Sequence, residues 1–173
     1  MNQSIHAIDQ LLYCFGPVAK VTAATAPLAH TIEVEDVGVA AVTFVHGGLG
    51  HVVGTTAAAP GQAARLDLHG ATASVCFDLG GRIRHREFQD EIGEAGTWGK
   101  TSVEIPEPTI GVEGASDPRA IGVENHRRQF ADIADAIRSN RDPLVTGEEG
   151  RRALSLILAI YESARTGRQA VPA

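Results

Sequence analysis

Apolar residues open the chain at helical spacing. Ile5, Ile8, Leu12 and Phe15 share one side of an α-helix, and Asn2, His6, Asp9 and Tyr13, spaced by four, three and four, stack into a polar stripe beside them. Gly16-Pro17 stops that pattern, and from Val18 the period becomes two. The alternation predicts strands over residues 18–25, 35–46, 49–58, 64–69, 73–79 and 82–88. Gly47-Gly48, Pro60-Gly61, Gly70 and Gly80-Gly81 mark turns between them.

From Gln89 to Glu124 the pattern dissolves into Gly, Pro, Glu and Thr around the single tryptophan, Trp98. Only Lys100–Ile105 suggests a further strand. The last third is helical again. Asn125 is a candidate N-cap for a helix with Phe130, Ile133, Ala134 and Ile137 on one face, ending near Asn140. Thr146 and Glu149 have the spacing of a capping box for a longer helix to about Thr166, closed by Gly167, with Leu154, Ile157, Leu158 and Tyr161 expected inward. Strands joined by glycine turns and flanked by about three helices predict an α+β fold, with an open, mostly antiparallel sheet and the helices on one face.

In Val37–Val45 both faces of the strand are apolar or small, so both require cover. Three helices suffice for one face of the sheet. The other is expected to meet a partner subunit or a second domain.

The 173 residues are expected to form a single domain, 1–173, large enough to bury roughly 70% of the unfolded surface. A hydrophobic fraction of 43% is that of a soluble globular chain, and no apolar run approaches the ~20 residues of a membrane span. The formal net charge of −6, with scattered arginines and only Lys20 and Lys100 as lysines, leaves no basic stripe for nucleic acid. Cys14 and Cys76 read as buried small hydrophobes, and no export signal precedes them, which fits a reducing cytoplasm.

Among the ionisable residues His6 is the candidate for acid–base work, because imidazole titrates near neutrality and a neighbour one turn away can orient it. The stripe is either a solvated edge or one wall of a site. The remaining histidines lack metal-ligand spacing, so no metal is expected. Nothing matches a nucleophile elbow, a Walker A loop or a dinucleotide glycine fingerprint, and the glycine pairs at 47–48 and 80–81 sit in hairpins.

Several separated segments, in order, resemble the C-terminal domain of the glucose-fructose oxidoreductase / inositol dehydrogenase / MocA family of NAD(P)-dependent oxidoreductases. They are MNQSIHAIDQLLYCFGPVAKVTA, EVEDVGVAAVTFVHGGLGHVVGTTAAAPG, LDLHGATASV and FADIADAIRSNRDPLVTGEEGRRALSLILAIYESARTGRQAVP. The resemblance spans nearly everything except residues 89–122. It implies that His6 polarises or shuttles the proton of a substrate hydroxyl during hydride transfer to NAD or NADP. Asn2 stands where polyol-oxidising members often carry Asp, which keeps a hydrogen-bonding group and removes a charge. Asp9 matches the next motif position, for substrate contact or a structural bond. Tyr13 and the Trp98 loop complete the expected substrate-binding set.

The same resemblance implies a preceding Rossmann domain, with a glycine-rich loop and a catalytic lysine, that is absent from these residues; Lys20 and Lys100 do not replace it. The expected function is therefore the substrate-binding and assembly half of an oxidoreductase acting on a sugar, cyclitol or related polyol. The cofactor, NAD or NADP, is bound mainly by the other half, and this chain alone neither binds it tightly nor turns over. A homo-oligomer, dimer or tetramer, is expected through the open sheet face, and its partner in catalysis is a small-molecule substrate. The rival is a free-standing, non-catalytic ligand-binding or oligomerisation module acting in trans.

Overall fold

A computed structural model describes residues 4–78, 82–88, 101–104 and 123–173, the 101–104 segment as backbone. In chain order the elements are α1 (Ile5–Phe15), β1 (Val18–Ala26), β2 (Val37–Phe44), β3 (Leu49–Thr55), β4 (Arg65–His69), β5 (Ala73–Asp78), β6 (Ile83–Phe88), β7 (Thr101–Glu104), α2 (Glu124–Ser139) and α3 (Gly147–Thr166). Every neighbouring strand pair is antiparallel, and the fold is α+β as expected. The strands form two hydrogen-bonded sheets, ordered β1-β2-β3 and β4-β5-β6-β7.

The first sheet builds the core. Along β2 the alternation is strict: Gly38, Ala40, Val42 and Phe44 are buried, while Val39 and Ala41 face outward. Strand pairing places Ala40 opposite Ala23 and Val52, and Val39 opposite Val53. Val18, Val21 and Val52 join the buried face, on which Ile8 and Leu11 of α1 and Leu156, Ile157 and Ile160 of α3 pack. Each fully buried Ile or Leu contributes roughly 1.5–3 kcal/mol. Leu66 and Leu68 of β4 rest against the same cluster, so the core also holds the second sheet.

Small residues decide which side of α3 turns inward. Ala153, Leu156, Ile157, Ala159, Ile160 and Ser163 are buried, whereas Leu154, Leu158 and Tyr161, expected inward from periodicity, are exposed. Two apolar stripes coexist on this helix, and the one carrying Ala153, Ala159 and Ser163 allows the closer approach to β1. At its start the Thr146 hydroxyl accepts the Glu149 N–H at 3.3 Å, and Gly167, with φ of 65°, ends it. Glu149 uses its own carboxylate on Arg152, so only one half of the capping box forms. Helix α2 begins two residues earlier than the sequence suggests, with Val123 and not Asn125 at the N-cap.

The last residues return along β1, where Val21 and Ala170 exchange two backbone hydrogen bonds of 2.9 Å. Ser163 locks this arrangement: its hydroxyl accepts the Ala23 N–H and donates to the Arg168 carbonyl at 2.7 Å. Between β1 and β2 the chain turns around Asp36. Its buried carboxylate accepts the N–H groups of Leu28, Ala29 and His30 at 2.6–2.8 Å and meets the His30 ring at 3.0 Å. Those backbone bonds, led by that of Leu28, hold the Asp36 carboxyl far below the usual carboxylate range. The cysteines differ from expectation, since Cys14 is exposed and Cys76 half-buried, and both are free thiols. Cys14 falls to one side of the apolar stripe of Ile5, Ile8, Leu12 and Phe15 on α1 and so meets solvent.

Candidate functional site

Helix α1 carries the candidate chemistry, and three contacts fix its position. Ile8 and Leu11 are buried in the core. Gln10 donates from Nε2 to the Asp78 carbonyl at 3.2 Å, tying the middle of the helix to the second sheet. At the C-terminal end Phe15 meets Phe44 edge-on with centroids 4.6 Å apart, and the His46 ring stacks on Phe44 at 5.6 Å.

The His46 tautomer follows from its neighbours. Nδ1 accepts the Gly48 N–H at 3.3 Å, so Nε2 bears the proton and donates it to the Phe15 carbonyl at 3.0 Å. A helix end otherwise left with unpaired carbonyls is thereby satisfied by the β2–β3 hairpin. Gly48 makes this possible, since a Cβ there would lie 2.5 Å from His46 Cε1 and 2.7 Å from Phe15 Cε1.

On the side of α1 away from the core, His6, Asp9 and Tyr13 are all exposed, Tyr13 to 90%. None of the three has a hydrogen bond or ion pair with the other described residues. The structure thus keeps the predicted stripe together on one helix face and leaves its polar groups available to a ligand. Asn2 and Trp98, the other two expected contributors, lie outside the described residues.

Two clefts open beside α3 and the chain end. One, of about 490 Å³, is lined by Leu12, Pro17, Leu156 and Arg151 among others, and a wider one, of about 960 Å³, by Leu154, Leu158 and Val171. Neither includes His6, Asp9 or Tyr13, so the stripe is an open helix face outside both clefts. Among the described residues no group of three or more His, Cys, Asp or Glu side chains could hold a metal ion. Nor does a described glycine turn join a strand to the start of a helix, the arrangement that cradles a pyrophosphate. No described helix is long and apolar enough to cross a membrane.

Sequence reasoning missed the residues that position α1. Gln10 carried no periodic signal, and His46 gave only a weak one, as a histidine directly before a glycine hairpin. Tyr161, expected in the core, instead donates to the Glu35 carboxylate at 2.7 Å, and partial desolvation together with that carboxylate pushes its phenol up to about 12.

The family model described as the oxidoreductase family, C-terminal alpha/beta domain, matches residues 1–172. No curated protein matches the chain. Among solved structures it is similar to the WlbA dehydrogenase from Bordetella pertussis in complex with NADH and UDP-GlcNAcA, with 30% identity and a TM-score of 0.72 over 99% of this chain and 46% of that one. The WlbA dehydrogenase from Chromobacterium violaceum, in complex with the same two molecules, is 31% identical with a TM-score of 0.72, over 99% of this chain and 45% of that one. A levoglucosan dehydrogenase in complex with NADH shares the fold at 20% identity and a TM-score of 0.72, over 98% of this chain and 49% of that one. The chain therefore spans about half the length of these solved relatives.

Proposed function

Since the chain belongs to the Gfo/Idh/MocA oxidoreductase family as its C-terminal α/β domain, we propose that it is the substrate-binding and assembly half of an NAD(P)-dependent dehydrogenase acting on a sugar, cyclitol or related polyol. The observation that carries this reading is the exposed His6–Asp9–Tyr13 face of a helix anchored at its middle and its end. Support for the substrate class comes from the relatives near 30% identity, which were solved with NADH and a nucleotide-linked sugar acid.

In this reading a neutral His6 imidazole accepts the proton of the substrate hydroxyl as the carbon that bears it is oxidised, and returns it in the reverse direction. The nicotinamide, when bound, supplies the hydride acceptor. It falls mainly to a dinucleotide-binding half, in keeping with a family model that describes only the C-terminal domain. Asp9 and Tyr13 orient the hydroxyl-rich substrate along the helix, with Asn2 and the Trp98 loop as further contributors. Two free thiols suit work in the cytoplasm.

Two measurements test the assignment. Fluorescence titration of the chain with NADH and NADPH is expected to show no tight stoichiometric binding; tight binding would refute the division of labour. In a longer polypeptide carrying these residues behind a dinucleotide-binding half, His6→Ala is expected to lower turnover by about 10²-fold or more. A near-normal rate would make His6 structural, and an absence of any NAD(P)-linked activity would favour the free-standing module.

A further inference from the structure

The two faces of the second sheet differ in chemistry. Strand pairing sets Asp67 beside Cys76 and His85, and His69 beside Ser74 and Glu87, on one face. On the other it sets Leu68 beside Val75 and Arg86, with Leu66, Phe77 and Phe88 around that row. Arg86 thus brings a charge to an otherwise apolar face. The neighbouring arginines are neutralised, since Arg65 meets Asp67, and Arg82 and Arg84 meet Asp78, at 3.0–3.1 Å. Glu87, next to Arg86 on β6, belongs to the opposite face and meets His85 at 2.9 Å. Arg86 itself is exposed and has no hydrogen bond or ion pair among the described residues; its guanidinium carbon lies 5.8 Å from the centre of the Phe88 ring. Such a ring contact restrains a guanidinium and leaves its N–H fork unpaired.

The same face is the one that α1 borders. Leu66 and Leu68 rest against the cluster that contains Ile8 and Leu11, and Gln10 reaches the Asp78 carbonyl. His6 precedes Gln10 by four residues and shares its ridge, so the His6 side of α1 turns toward the second sheet. We infer that Arg86 binds an anionic group, carboxylate or phosphate, of the sugar oxidised at His6, and so selects acidic sugars over neutral ones. This inference rests on the function proposed above. The planar guanidinium fork matches either anion with two parallel hydrogen bonds, and apolar neighbours strengthen the pair by limiting competition from water.

Steady-state kinetics in the longer polypeptide test this, with reduction of NAD or NADP followed by absorbance. Glucose serves as the neutral substrate, glucuronate as the carboxylate, and glucose 6-phosphate and UDP-glucose as the phosphates. At least one anionic sugar is expected to exceed glucose in kcat/KM by about tenfold or more, and whichever does so identifies the anion. Arg86→Gln is expected to lower kcat/KM for that sugar by about tenfold or more, mainly through KM, whereas His6→Ala acts through kcat. Arg86→Lys keeps the charge without the planar fork and is expected to retain part of the preference. Turnover of glucose as efficient as that of every anionic sugar would overturn the inference and leave the proposed function standing. So would an Arg86→Gln variant whose KM for the preferred sugar is unchanged. Absence of NAD(P)-linked turnover with all four sugars would instead count against the proposed function, and the inference would fall with it.

Discussion

The Nε2 proton of His46 points at the carbonyl oxygen of Phe15 from 3.0 Å, so a hairpin histidine caps the helix that presents His6. The two residues are 31 positions apart in sequence, and their rings also meet edge-on at 4.9 Å. A residue remote from the candidate chemistry thus sets where that chemistry sits.

His46→Ala removes the hydrogen bond and the ring contacts together, and is expected to destabilise the domain by about 1–3 kcal/mol. Urea denaturation followed by circular dichroism measures this. Gly48→Ala acts on the same triangle from the other side, since its Cβ would overlap the His46 and Phe15 rings. If both variants unfold at the wild-type midpoint, His46 does not hold α1.

Asp36 makes the domain sensitive to acid. Its folded carboxyl titrates below its unfolded value near 3.9, so the stabilisation it gives is complete above about pH 4 and is lost as pH falls through the lower, folded value. Stability of the wild type measured from pH 6 to pH 2 is expected to decline through that window. Asp36→Asn, already deprived of the charge, is expected to be less stable at pH 6 and to show a shallower decline; a parallel decline would assign the acid sensitivity to other carboxylates.

Ser163 is fully buried and serves two strands of chain at once. Ser163→Val leaves the Ala23 N–H and the Arg168 carbonyl without their partner, at about 1–3 kcal/mol for each buried group left unpaired. The loss is expected in the denaturation midpoint. It should be accompanied by faster amide exchange at Ala170, whose bond to Val21 depends on the same alignment.

Val39 and Val53 face each other across β2 and β3 on the uncovered side of the first sheet, 46% and 57% exposed. If this surface mediates assembly, Val39→Arg and Val53→Arg are expected to convert the oligomer to monomers in light scattering without lowering the melting temperature. A wild-type chain that is monomeric at all concentrations would rule out this use of the face.

Local chemistry made much of the fold readable in advance. The β2–β3 hairpin follows from two alternating apolar runs around Gly47-Gly48, and the start and end of α3 follow from Thr146 and Gly167, because turns and caps depend on neighbouring residues alone. The orientation of α3 was not readable in the same way. Leu154, Leu158 and Tyr161 form as good a helical stripe as Leu156, Ile157 and Ile160, and only the approach of β1 to the small residues Ala153, Ala159 and Ser163 chooses between them. Cys14 poses the same question, since it sits beside the apolar stripe of α1 and only packing decides that this edge of the helix meets solvent.

The sequence by itself determined the α+β class, the family and the grouping of His6, Asp9 and Tyr13 on one face, all of which rest on short-range spacing and ordered motifs. Tertiary structure decided which faces stay open and what holds the stripe in place. Gln10 to Asp78, Phe15 to His46 and Ala23 to Ser163 join residues 68, 31 and 140 positions apart. Such pairs carry no periodic signal, because a hydrogen bond between distant segments is specified only once packing has brought them within reach.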